Sequence, residues 1–295
     1  MPVEKMHADE VETDVSLVRR LLAAQFPHWA DLPIAPVESA GTDNAIYRLG
    51  EDKAVRLPRI HWATGQVDKE QRWLPKLAPL LPVAVPVPLG RGEAAEGYPW
   101  SWSVYGWLNG ENPTIGRIAD PHLLATDLAE LIAALQRINL PDAPTAGRGV
   151  PLARRDADTR TAIEALRGMV DTDAVTAVWD AALRAPEWPG APVWLHSDLA
   201  PGNLLIVDGR LSAVIDFAGV GVGDPAGDLP VAWNLLPAEV RDVFRAALQV
   251  DDATWERGRG WALSIALIQL PYYHRTNPVL AASARYTIAE ILADR

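Results

Sequence analysis

The sequence predicts an α+β fold in two parts, a small antiparallel sheet near the N-terminus and a larger, mainly helical C-terminal region. Three observations predict it. Short strand-like runs separated by turn clusters occupy residues 34–57. From Ile115 onward, apolar residues recur at helical spacing. A polar loop, His196-Ser-Asp-Leu-Ala-Pro-Gly-Asn203, sits between apolar runs at 193–195, 204–207 and 211–215.

Composition sets the frame. The chain has 295 residues, enough for one large or two modest domains, with 49% hydrophobic and 22% charged residues. No run of eighteen apolar residues exists, and the first ten residues lack the apolar core of a signal peptide, so a cytoplasmic, non-membrane protein is expected. Cysteine is absent, which excludes disulfides and thiolate metal sites. A net charge of −11 argues against a nucleic-acid partner. There is no internal repeat, and the pattern leaves oligomeric state open.

Residues 1–10 read as loosely held. Thr13 or Asp14 can cap a helix over 15–26, where Val15, Val18, Leu21, Leu22 and Phe26 share one face. Pro27 and Pro33 end it. Runs at 34–40, 45–49 and 53–57 then form a meander, separated by Gly41-Thr-Asp-Asn44 and Gly50-Glu-Asp52. Ala54 and Arg56 lie two apart and so share a strand face. A small side chain there can lie under a flat base while the cation reaches phosphates. A helix over 62–81 follows, kinked at Pro75 and carrying Glu70, the choice to hold Arg56, with Asp68 as competitor. Runs at 83–89 and 100–108 complete the sheet. Tyr105-Gly106-Trp107 reads as the crossover whose backbone meets an adenine edge, so the boundary falls between 1–107 and 108–295.

The second part reads as helices over 123–140, 156–170, 172–184, 238–249, 254–270 and 278–293, with a Pro/Gly loop at 141–151. Asp208-Gly209 reads as a hairpin turn that returns Asp216 toward the polar loop. Asp224, with Pro225 behind it, suits an N-cap, and Asp228 sits where it can bond nearby loop backbone.

The loop residues define a chemistry. A carboxylate can take the proton of an attacking hydroxyl, which makes Asp198 the candidate base. An amide oxygen and a second carboxylate are hard ligands for Mg²⁺, which nominates Asn203 and Asp216. His196 reads as a buried hydrogen-bonding brace. The H-R-D-x-x-x-x-N plus D-F-G layout of phosphoryl-transfer enzymes has this form, with Ser197 in the Arg position and Asp216-Phe-Ala-Gly219 for D-F-G.

The segments Leu195-His-Ser-Asp-Leu-Ala-Pro-Gly-Asn203, Val214-Ile-Asp-Phe217 and Gly223-Asp-Pro-x-x-Asp-Leu229 resemble the aminoglycoside phosphotransferase family, a branch of the protein-kinase-like fold. Val55-Arg-Leu-Pro-Arg59 also looks like macrolide phosphotransferases with Arg in the phosphate-binding position. The resemblance implies a two-lobe fold, with ATP or GTP as co-substrate between the lobes. It implies transfer of the γ-phosphoryl group to a small-molecule hydroxyl, with Asp198 as base, Asn203 and Asp216 on Mg²⁺, and Asp228 as a support. Ala54, Arg56, Glu70, Tyr105 and Trp107 are the expected nucleotide-binding residues. Two departures stand out: the Gly-rich loop is reduced to Gly41-Thr-Asp-Asn44, and Arg56 replaces Lys. They keep a second reading open, a nucleotide-binding module without transferase activity. A third is a metabolite kinase for choline, homoserine or a sugar amine. Asp156, Asp158, Glu164, Trp233, Tyr272 and Tyr273 are the acceptor-site candidates.

Overall fold

The computed structural model describes residues 10–38 and 41–294. The expectation for residues 1–9 and the end of the 34–40 run lie outside the described residues. The chain divides into two compact units. One comprises the described residues up to Pro79 with Ala84–Gly110 and Ala213–Ala218. The other comprises Leu80–Val83, Glu111–Ser212 and the described residues from Gly219 on.

The first unit is built on a five-stranded antiparallel sheet in the order β1-β2-β3-β5-β4. Its strands are β1 (Ile34–Pro36), β2 (Asn44–Leu49), β3 (Lys53–Pro58), β4 (Pro88–Gly92) and β5 (Trp102–Gly106). Residues of β2 alternate between partly buried and buried, as a strand with one covered face must. The cover is α1 (Val15–Gln25), whose Leu17, Val18, Leu21 and Leu22 pack with Tyr47, Leu49, Val55, Leu57, Trp102 and Val104. Asp14 caps α1, accepting from Leu17 N at 2.7 Å. Helix α2 (Thr64–Leu77) is held to the sheet by Gln71, whose Nε2 donates to Gly90 O and to Ser103 Oγ. It continues for two residues beyond Pro75.

One strand differs from expectation. Residues 83–89 read as a strand, yet β4 begins only at Pro88. Pro86 and Pro88 remove two backbone donors from that stretch, so its apolar alternation cannot be converted into a ladder before β4.

The second unit contains α3 (Pro121–Gln136), α4 (Asp156–Ala165), α5 (Thr172–Arg184), α6 (Val231–Asn234), α7 (Arg241–Leu248), α8 (Asp252–Tyr273) and α9 (Pro278–Ala293). Helix α8 buries Trp261, Leu263, Ala266, Leu267 and Leu270 among its neighbours. Strand β6 (Val193–Leu195) pairs antiparallel with β9 (Gly221–Gly223), and β7 (Leu204–Val207) is followed by β8 (Arg210–Val214). Asp208 and Gly209 between the latter two have φ of 50° and 78°, the left-handed pair that a two-residue hairpin turn requires. Beyond Ser212 the chain enters the first unit, where Val214 N donates to Ala84 O at 3.0 Å. Among the described residues, no helix is long and apolar enough to cross a membrane.

Candidate active site

Within the first unit, residues distant in sequence meet at Arg56. Antiparallel pairing of β3 with β2 and β5 places Ala54 opposite Arg48 and Tyr105, and Arg56 opposite Ile46 and Ser103. The Arg56 guanidinium donates to Glu70 Oε2 at 2.5 Å from α2 and to Asp216 Oδ1 at 2.9 Å from the returning segment. Gln66 Oε1 accepts from the same guanidinium at 3.1 Å. Tyr105 hydroxyl donates to Glu70 Oε2 at 2.5 Å, so one carboxylate oxygen ties β3, α2 and β5 together. Asp68, the competitor for Arg56, instead pairs with Arg91 at an exposed position.

Burial lowers the affinity of Arg56 for its proton, but the charges of Glu70 and Asp216 and the nearby Tyr105 outweigh it and raise the guanidinium further above its ordinary value. It stays a cation at any working pH. Lys69, one position before Glu70, donates to Ala218 O at 2.9 Å, and its ammonium is pulled down by burial.

Gly106 N donates to Val87 O at 3.0 Å and Trp107 N to Asp52 O at 2.8 Å, so those two amides are spent inside the unit. The Tyr105 side chain supports Glu70. The Trp107 ring lies under the Arg48 guanidinium, 3.9 Å from its centroid.

Within the second unit, the loop after β6 is strained and heavily tied. Ser197 has φ of 71° and is almost fully buried. A non-glycine residue held left-handed needs neighbours that fix it there. Asp228 supplies them: its Oδ2 accepts from His196 N at 2.9 Å and its Oδ1 from Ser197 N at 2.6 Å. Burial raises the Asp228 carboxyl, opposed by His196 and by these backbone donors. His196 is buried, and its Nδ1 accepts from Asp198 N at 3.2 Å, which makes it a brace.

The Asp198 side chain is 39% exposed. Asn203 turns its amide nitrogen onto Asp198, donating to the main-chain oxygen at 2.8 Å and to Oδ2 at 3.2 Å. That leaves the Asn203 amide oxygen to serve as a ligand. In the first unit, Asp216 has φ of 61° and a side chain 38% exposed. An amide oxygen and a carboxylate are the hard donors that Mg²⁺ takes, so the donor chemistry of Asn203 and Asp216 fits that ion.

Two features escaped the sequence reading. Arg148, in the 141–151 loop, donates from Nη1 to Asp198 Oδ1 at 2.5 Å. Its one signal was its place between Gly147 and Gly149. Gln66 was invisible beside Glu70 because both suit a solvated helix face. The acceptor-site candidates fare differently. Trp233 is fully buried, its Nε1 donating to Asp294 Oδ2, so it belongs to the core. Asp156 accepts from Trp179 Nε1 at 2.8 Å and pairs with Arg160, which makes it a packing residue. Asp158 and Glu164 pair with Arg155 and Arg167 on exposed helix turns. Tyr272 is exposed and its ring meets Tyr273 edge-on. A cavity of about 200 Å³ in this unit, lined by Leu152, Trp188, Asp224 and Arg257 among others, contains none of the nominated residues.

The family model described as "Phosphotransferase enzyme family" matches residues 35–261. A curated aminoglycoside 3'-phosphotransferase of Escherichia coli is 37% identical over 86 residues, a match covering 26% of this chain and 31% of that protein. The chain therefore aligns with less than a third of that relative's length. The fold resembles the GDP complex of wild-type aminoglycoside 2'-phosphotransferase-IIIa, with a TM-score of 0.74 and 17% identity over 96% of this chain and 99% of that one. It also resembles macrolide 2'-phosphotransferase MphH from Brachybacterium faecium, with a TM-score of 0.61 and 21% identity over 94% and 97% of the two chains.

Proposed function

Because the chain belongs to the phosphotransferase enzyme family, we propose that it transfers the γ-phosphoryl group of ATP or GTP to a hydroxyl of a small molecule, of aminoglycoside or macrolide type. The observation that carries this is the Arg56 cluster. A cation only 12% exposed, oriented by Glu70 and bonded to Asp216, joins residues 160 apart in sequence. An arginine fork suits phosphate oxygens, and its position on β3 beside the small Ala54 suits a nucleotide lying along that strand. Trp107, with Arg48 on its ring, offers a flat surface to a base. The acceptor class is inferred from the names of the relatives, and binding of a guanine or adenine nucleotide from the GDP-bound and ADP-bound neighbours.

In this reading the acceptor hydroxyl bonds to Asp198. Its oxygen forms the new bond to the γ-phosphorus as the bond from phosphorus to the β-bridging oxygen breaks. The hydroxyl proton passes to Asp198, and the nucleoside diphosphate leaves. Asn203 and Asp216 would hold Mg²⁺, which supplies charge neutralisation at the phosphates. Arg56 adds fixed positive charge, and Glu70 with Tyr105 keeps it aimed. Asp228 and His196 hold the loop from which Asp198 projects.

The test is Asp198→Asn assayed by coupled release of nucleoside diphosphate, after a panel of aminoglycosides, macrolides, choline and homoserine has identified an acceptor. Loss of the base should lower kcat by about 10²-fold or more while nucleotide still raises Tm. Retained binding with turnover near wild type refutes the role of Asp198. A panel in which only choline or homoserine is phosphorylated replaces the antibiotic acceptor with a metabolite.

A further inference from the structure

Resting on the phosphoryl-transfer reading, we propose that Arg148 is the positioning residue of the base, clamping the Asp198 carboxylate from a strap whose backbone is built to hold it. The carboxylate is gripped at both oxygens. Arg148 Nη1 donates to Oδ1 at 2.5 Å and Asn203 Nδ2 to Oδ2 at 3.2 Å. A carboxylate has about four acceptor positions, so two donors leave room for an incoming hydroxyl.

The strap explains why the clamp is stiff. Arg148 N donates to Ser197 Oγ at 2.6 Å, the side chain of the strained residue just before Asp198. On one side Gly147 N donates to Gly219 O at 3.0 Å. On the other, Asp224 N donates to Gly149 O at 3.1 Å. Two further bonds, Ala146 N to Val222 O and Val222 N to Pro144 O, lay residues 144–149 along β9. The approach is possible only because β9 begins and ends in glycine. A Cβ at Gly223 would lie 2.2 Å from Gly149 Cα, and one at Gly221 would lie 2.5 Å from Ala146 N and from Pro144 O. A third glycine, Gly227, lets the Arg148 carbonyl come within 2.4 Å of where its Cβ would be. Main chain therefore fixes Arg148 on several sides, while its side chain is 23% exposed.

A part-exposed ion pair adds little to stability, so stability gives no reason for this construction. Geometry does. Phosphoryl transfer asks the base to hold a hydroxyl in line with phosphorus, and a displacement of about 1 Å can cost roughly 10²-fold in rate. With Arg148 in place, the Asp198 carboxylate cannot rotate without breaking a charged hydrogen bond. Without it, among the described residues the Asn203 amide is left to hold the carboxylate.

The experiment compares Arg148→Met, Arg148→Ala and Arg148→Lys with wild type and Asp198→Asn, using the acceptor found above. The expected result is a kcat lowered roughly 10- to 100-fold in the Met and Ala variants, with nucleotide KM and the nucleotide-induced rise in Tm within twofold of wild type. The Lys variant should recover part of kcat, and millimolar methylguanidinium should raise kcat of Arg148→Ala without raising that of Asp198→Asn. Arg148→Met and Arg148→Ala with kcat within twofold of wild type overturn the proposal. So does a loss shared equally by kcat and nucleotide binding, with recovery neither by Lys nor by methylguanidinium, because that pattern is a damaged fold. The two readings fail separately. A wild-type protein without acceptor-dependent turnover removes the phosphoryl-transfer reading and this proposal with it. Active wild type, inactive Asp198→Asn and active Arg148 variants remove this proposal alone.

Discussion

Glu70 is a carboxylate in the first unit that is only 2% exposed. One of its oxygens accepts from both Arg56 and Tyr105. Burial raises the Tyr105 phenol well above its ordinary value, and the Glu70 charge raises it further, so the hydroxyl keeps its proton and remains a donor. Removing Glu70 takes one charged partner from the largely buried Arg56 guanidinium and an acceptor from the buried Tyr105 hydroxyl. Breaking one side of a buried pair costs roughly 3–5 kcal/mol, and Asp216 stays beside Arg56, which puts Glu70→Ala toward the lower end of that range. Asp68→Ala, which loses only an exposed contact to Arg91, should cost less than about 1 kcal/mol. Urea midpoints at constant m-value measure both. Equal losses in the two variants would show that the Arg56 cluster carries no special weight. At this scale the sequence was readable where charge complementarity restricts the residue type, as in the pairing of Arg56 with Glu70. It was unreadable where the type is common, as at Arg148, and where an aromatic suits core and cleft alike, as at Trp233.

Elements were legible wherever periodicity and caps agreed. The expected 172–184 and 278–293 helices match α5 and α9, each capped by the side chain before it, Asp171 and Asn277. Pro86 and Pro88 defeated the alternation pattern before β4, and the strap at 144–149 has no periodicity to read because glycines on another strand make its place. Helix α8 shows what a cap contributes and how pH tests it. Asp251 accepts from Thr254 N at 2.6 Å, and that backbone bond, then the Thr254 hydroxyl, holds its carboxyl below the ordinary value. A carboxyl lowered in the folded state adds stability above its unfolded pKa of about 3.9, and that stability is lost as pH falls through the folded value. Asp251→Ala should therefore cost about 1 kcal/mol at pH 7 and progressively less below about pH 4. Thermal unfolding at pH 7 and pH 3 checks it. A cost that does not shrink on acidification would mean that the charge of Asp251 contributes nothing to α8.

At the scale of the whole molecule, the division of the chain at residue 107 read from sequence is simpler than the one observed. Residues 213–218 leave the second unit and put Asp216 beside Arg56, while residues 80–83 go the other way. A hairpin turn is visible in sequence, but the unit its far strand joins is not, because local pattern carries no information about long-range partners. Net charge, by contrast, is a property of the sequence alone, and it bears on the choice of acceptor. The chain carries −11 at pH 7. A field of that sign raises the local concentration of a polycation and leaves a neutral or singly charged molecule almost unaffected, and the effect is screened over about 10 Å at 0.1 M salt. If the physiological acceptor is a polyamine-bearing aminoglycoside, raising ionic strength from about 20 to about 200 mM should increase its KM several-fold with kcat unchanged. A macrolide, with its single amine, should show a change below twofold under the same conditions. Initial rates over that salt series, with nucleotide saturating, separate the two classes. A polycationic acceptor whose KM ignores salt would mean that contacts at the site, and not the field of the protein, decide what binds.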